Sequence, residues 1–80
     1  MTLAELPRRT AAIVDHVQDA APGDPIARRL REIGFVCGEP VELVATGPFG
    51  AEPLLVQVGF TRFALRRGEA ARVRLQDATP

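Results

Sequence analysis

The chain offers few groups that could do chemistry. It has one histidine, His16, one cysteine, Cys37, and no serine. A nucleophile needs a base within hydrogen-bond reach, so Cys37 with His16 is the only dyad the composition allows. Cys37 falls in a turn behind Phe35 and Val36, where a free thiol reads more simply as a small apolar filler. No phosphate-binding loop of the GxxxxGK[ST] kind is present. The expectation is a protein that is not an enzyme. Metal chemistry has one place to begin, because Asp15, His16 and Asp19 set an imidazole and two carboxylates within five residues. Adjacent residues of a strand point to opposite faces, which would keep Asp15 and His16 from sharing an ion. A closed site needs three or four convergent ligands, and no CxxC or HxxxH spacing supplies them. No cofactor is required on this reading. A divalent ion would be held only if His16, with Asp15 or Asp19, shared it with ligands of a second molecule.

Binding is better served than catalysis. Phe49 stands at the tip of a Gly/Pro-rich loop, away from any strand face, and an aromatic on a rigid loop can anchor a partner. The same ring could instead fold down over the core, since loops both carry function and shield small cores. Val36 and Leu55 fall off the core-facing pattern and offer further apolar area. Arg28, Arg31, Arg66 and Arg67 could form a basic patch beside the helix, suited to acidic side chains, although a surface charge is more often simply solvated.

Composition narrows the partners. The ten basic residues are all arginine and are balanced by ten acids, so the surplus of positive charge that nucleic-acid binding needs is missing. Tyrosine and tryptophan are absent, which excludes the aromatic groove of a proline-peptide reader. No apolar run is long enough to cross a bilayer, and the N-terminal segment lacks the apolar stretch of a secretory signal. A single cysteine cannot form an internal disulfide, so the cytoplasm is the expected compartment. Eighty residues make one domain, with its core expected between positions 3 and 75 and a mobile tail over 76–80.

The elements that must position these residues begin with a helix. Asp24 is a good N-cap and Pro25 suits the first helical position, where its missing N–H costs nothing. Ile26, Leu30 and Ile33 follow as an apolar stripe, with Arg28, Arg29, Arg31 and Glu32 directed to solvent. Gly34 supplies the stop, and Phe35 folds back onto the last turn. Before the helix, Thr2 to Leu6 reads as a short turn with Glu5 in a capping box, and Thr10 to Val17 as a first strand. In that strand Ile13, Asp15 and Val17 would share one face, and Ala12, Val14 and His16 the other. After the helix come strands over 41–46, 54–60, a short one with Phe63 and Leu65, and 72–75. The segment from Gly47 to Pro53 reads as a long hairpin loop. Leu54, Val56, Val58 and Phe60 alternate onto one face, and Gly59 marks a bulge or bend. Five short strands and one helix, inserted after the first strand, are too few for a sandwich. The expected fold is mainly β, a small SH3-like barrel that closes on itself to remove its edges.

These residues carry a resemblance. Arg29-Leu30, Glu32-Ile33-Gly34-Phe35, Gly38 and Val41-Glu42-Leu43 resemble the helix-turn-strand signature of the ferrous iron transport protein A (FeoA) family. Glu52-Pro53-Leu54 with Val56, Val58 and Gly59 is similar to the family's third strand. Ala64-Leu65-Arg66 with Glu69-Ala70 and Val73 is similar to its closing segment. The three pieces lie in register along residues 3 to 75. Two departures are visible: Cys37 stands where the family usually has proline, and Arg8-Arg9-Thr10 lacks the glycine often found before the first strand. The resemblance implies a small cytoplasmic accessory or regulator of ferrous iron uptake, working by contact with the cytoplasmic side of a FeoB-type Fe²⁺ permease that carries a GTPase domain. It implies neither nucleic-acid binding nor membrane insertion, and makes Fe²⁺ or Zn²⁺ the divalent ion to consider at His16. A homodimer through edge strands stays open. The alternative it implies is an SH3-like regulatory module associated with an iron-dependent repressor. No helix-turn-helix precedes the domain here, which favours the stand-alone reading.

Overall fold

A computed structural model describes residues 1–76. A 3₁₀ turn, Leu3–Glu5, is followed by β1 (Thr10–Val17), α1 (Pro25–Glu32), β2 (Pro40–Phe49), β3 (Glu52–Val58), β4 (Thr61–Leu65), α2 (Arg67–Ala70) and β5 (Val73–Leu75). The strands form one antiparallel sheet in the order β4-β3-β2-β1-β5. One face of the sheet packs with α1 and the 3₁₀ turn around a core that includes Leu3, Val14, Leu30, Phe35, Val56 and Val73.

The helix begins as its sequence dictates. The Asp24 carboxylate accepts from the Ile26 amide at 3.0 Å, and Pro25 is the first helical residue. Its end is a Schellman motif. The Phe35 amide donates to the Leu30 carbonyl (3.0 Å) and the Gly34 amide to the Arg31 carbonyl (3.3 Å), with Gly34 at φ +122°. Phe35 is thereby driven into the core, where its ring lies 6.2 Å from that of Phe63. The buried stripe is Ala27 and Leu30, with Ile33 half-buried, whereas Ile26 is 36% exposed. The helix is thus turned by about one residue from the stripe the apolar pattern suggested.

Strand β1 has the expected bounds but not the expected alternation. Its pairing with β5 shifts register between Val14 and His16, which leaves Asp15 as the extra residue of a bulge. Val14 and Val17 therefore both point inward, and Asp15 and His16 are both exposed. Nor does the sheet close into a barrel. The outer edge of β5 is taken by the N-terminal segment instead, through a bridge between Thr2 and Arg74 and a bond from the Leu75 amide to the Met1 carbonyl at 2.9 Å. The 3₁₀ turn packs against β5 and α2, and α2 packs against β3. A three-residue β5 has too little edge to pair with both neighbours and β4 as well.

Strand β2 runs on through Gly47 and Pro48 to Phe49, so the loop expected over 47–53 shrinks to the two residues Gly50 and Ala51. Irregular register between Thr46 and Phe49 absorbs the glycine and proline. At Gly47 a Cβ would lie 2.3 Å from the Glu52 carbonyl oxygen, so the two strands approach there as only glycine permits. Strand β3 ends at Val58, and Gly59-Phe60 is the next turn, which removes Phe60 from the core face on which alternation had set it. The mobile tail expected over 76–80 lies, from 77 on, outside the described residues, and the Gln76 amide is bonded to the Ile13 carbonyl at 2.8 Å.

Candidate functional site

The β2–β3 hairpin lifts Phe49 to 82% exposure. Its turn needs positive φ at both central residues, and Gly50 (+62°) and Ala51 (+64°) supply it, the pattern of a type I′ turn. The ring stands off the body of the domain and is not folded over the core. The base of the hairpin is tied to α2, because the Glu52 carboxylate accepts from the Arg67 amide at 2.6 Å. Leu55 lies on the outer face of β3, half-buried, in register with Ala45 and Ala64. Val36, in the turn after α1, is 47% exposed.

The four arginines do not make one free patch. Arg31 donates to the Val17 carbonyl (2.7 Å) and to Asp19 (2.8 Å), tying α1 to the end of β1 instead of pointing to solvent. Arg67 donates to the Ala4 carbonyl at 3.0 Å. Arg28 and Arg66 are exposed and in no ion pair among the described residues.

The bulge in β1 changes the metal question. It brings His16 and Asp15 together, with Nδ1 donating to the Asp15 carboxylate at 2.6 Å and both side chains about half exposed. With Nδ1 so engaged, Nε2 is the ring nitrogen left without a hydrogen-bond partner among the described residues, the arrangement of the carboxylate–histidine pairs that orient metal ligands. Asp19 is not part of it, being held by Arg31. Among the described residues no three His, Cys, Asp or Glu side chains converge on one point. Cys37 is exposed and is not the core filler its neighbours suggested.

Two further features bear on the site. One is an ion pair between Arg72 and Asp24 at 2.6 Å, nearly closed to solvent. The Arg72 guanidinium, followed by the Ala20 amide, holds the Asp24 carboxyl down at about 2. This one carboxylate caps α1, closes the loop before it and, across 48 residues of sequence, fastens the segment between α2 and β5. The other is Phe60, fully exposed in the β3–β4 turn. Its signal was present, since a glycine followed by one residue between two alternating runs is a two-residue hairpin.

The profile of the FeoA domain matches residues 1–77. No curated protein matches the sequence. Among solved structures, the zinc-complexed FeoA of Stenotrophomonas maltophilia, a prokaryotic SH3 domain protein, is 66% identical. The match covers 95% of this chain and 89% of that one, with a TM-score of 0.89. The FeoA protein of Chlorobium tepidum is 28% identical over 99% of this chain and 71% of that one, with a TM-score of 0.80. A manganese-dependent transcriptional repressor superposes on 91% of this chain with 39% of its own, at a TM-score of 0.75. At 19% identity that likeness is one of fold alone.

Proposed function

The chain belongs to the FeoA family, and from that premise we propose that it is a small cytoplasmic accessory protein of ferrous iron uptake, acting by contact with a FeoB-type, GTPase-containing Fe²⁺ permease. The observation that carries this reading is the near-complete match to a FeoA protein at 66% identity. Phe49 is the anchor of the contact. It is a large apolar ring held in solvent on a two-residue turn, and such a side chain contributes most when a partner closes over it. Val36 and Leu55 add apolar area, and Arg28 and Arg66, with the more constrained Arg31 and Arg67, meet acidic side chains of the permease. The protein works by binding, without catalysis of its own, and inserts no segment into the bilayer. No helix of the described residues is long and apolar enough to cross one.

A divalent ion, Fe²⁺ or Zn²⁺, fits this protein as a shared and not a resident ligand. His16 Nε2 would bind it, Asp15 would orient the ring, and the remaining ligands would come from a second molecule, a second copy of this chain included. Asp19 would join only by leaving Arg31. Zinc titration of the wild-type protein and His16→Ala, followed by light scattering, tests this part: zinc-dependent association is expected in the first alone, and identical titrations would dispose of it.

The main reading is tested by recovery of the tagged protein from detergent-solubilised cells of its own source, with and without Fe²⁺. The permease should co-purify with the wild type. Recovery of a DNA-binding repressor instead would replace this reading, and recovery of neither would remove its support.

A further inference from the structure

The outer face of the sheet carries a second surface of a different character. Across it, Ala11, Glu42, Gln57 and Arg62 lie side by side in register on β1, β2, β3 and β4. The neighbouring positions toward the β3–β4 turn are Ile13 and Pro40, paired with each other, and beyond them Phe60. Ala11, Glu39, Pro40, Glu42, Gln57 and Phe60 line a shallow groove of about 300 Å³.

The composition of this groove is not explained by the fold. Positive φ at Gly59 alone of the two turn residues is the pattern of a type II′ turn, whose second position is usually filled by a small polar residue such as Asn, Ser or Asp. A phenylalanine exposed there contributes nothing to the turn and buries none of its own surface. Neither Glu39 nor Glu42 has a side-chain hydrogen bond or ion pair among the described residues. The cation of the same row, Arg62, donates to the Gln57 side chain at 3.1 Å. A free aromatic face, an apolar floor of Ala11 and Pro40 and two unpaired carboxylates therefore meet in one place.

We propose that this groove docks an extended segment of a protein partner that presents an arginine beside an apolar side chain. The guanidinium would stack on Phe60 and bond to Glu42 or Glu39, while the apolar neighbour covers Pro40 and Ile13. This surface lies at the opposite end of β3 from Phe49 and does not rest on the permease contact proposed above.

The test is an NMR titration of the ¹⁵N-labelled full chain with a capped Arg-Leu-Arg-Leu-Arg peptide, with Glu-Leu-Glu-Leu-Glu as control. The arginine peptide should give saturable shifts at Glu42, Gln57, Gly59 and Phe60, and the control none. Phe60→Ala should weaken binding about tenfold or more, as loss of an aromatic anchor does. Glu39→Gln with Glu42→Gln should weaken it by a smaller factor and remove its salt dependence. Phe49→Ala should bind as wild type, so a failure here is separate from a failure of the permease reading. Because Phe60 is fully exposed, the variant retains the fold, and its spectrum reports that directly. Absence of saturable shifts, equal binding of the control peptide, or wild-type affinity in Phe60→Ala would overturn the proposal. So would concentration-dependent shifts at the groove without peptide, which would make a second copy its occupant.

Discussion

The β2–β3 and β3–β4 hairpins share β3, turn in two residues at its opposite ends, and each exposes a phenylalanine. They are built differently. Phe49 is the last strand residue before a turn that needs positive φ twice, whereas Phe60 sits inside a turn that needs it once, at Gly59. Their surroundings also differ. The Phe49 hairpin is tied through Glu52 to the start of α2, with Arg66 and Arg67, whereas Phe60 faces Glu39 and Glu42. Two aromatic tips on one small domain thus have different neighbours, a carboxylate bonded to the Arg67 amide at one and the unpaired Glu39 and Glu42 at the other.

The largest expected effect lies outside both hairpins, at the carboxylate that ties α1 to the segment before β5. Asp24 has its folded-state carboxyl held at about 2, below the ordinary value near 4. Its contribution to stability is therefore complete above about pH 4 and is lost as the pH falls from there toward 2. Thermal unfolding followed across that window should show Tm falling in the wild type and a lower, flatter profile in Asp24→Asn. A matching slope in the variant would remove Asp24 from the account. Next, Gly47→Ala should break the Phe49 hairpin alone, because the new Cβ meets backbone at 2.3 Å. Overpacking of this kind costs about 3 kcal/mol, measurable as a lower urea midpoint.

Gly59→Ala should cost the other hairpin less. A Cβ there meets only the Glu39 carboxylate at 3.7 Å, so the penalty is the left-handed backbone itself, about 1 kcal/mol. A larger loss than at Gly47 would invert the comparison. The smallest effects lie at the tips. Phe60→Ala and Phe49→Ala should each change stability by less than about 0.5 kcal/mol, as exposed substitutions do.

Much of this architecture is legible in the residues, and the parts that are not share a cause. The Asp24 cap, the Gly34 stop, the limits of β1 and the inward Leu54, Val56 and Val58 all follow from local chemistry and agree with the structure. Period-2 reading fails wherever one residue breaks the count. The extra residue at Asp15 reverses the facing of Val17, and Gly59 ends the alternation that the residue types carry on to Phe60. Gly47 and Pro48 look like loop because they cannot sit in regular strand, yet a register irregularity accommodates them within β2. The Asp24–Arg72 pair joins residues 48 apart, and no local pattern encodes it. Of the site, Val36 is exposed as its position suggested and Phe49 takes the exposed one of the two placements open to it, whereas Leu55 is half-buried and the arginine patch is divided by the internal bonds of Arg31 and Arg67.

Contact with the permease through the Phe49 tip is the proposal on which the rest depends. Its most direct test is the affinity of the purified protein for the full-length, detergent-solubilised permease, measured side by side for wild type, Phe49→Ala and Phe60→Ala. The wild type should bind, with a loss of about tenfold or more in Phe49→Ala and little change in Phe60→Ala. Equal affinity in wild type and Phe49→Ala, or no binding by the wild type with or without Fe²⁺, would contradict it.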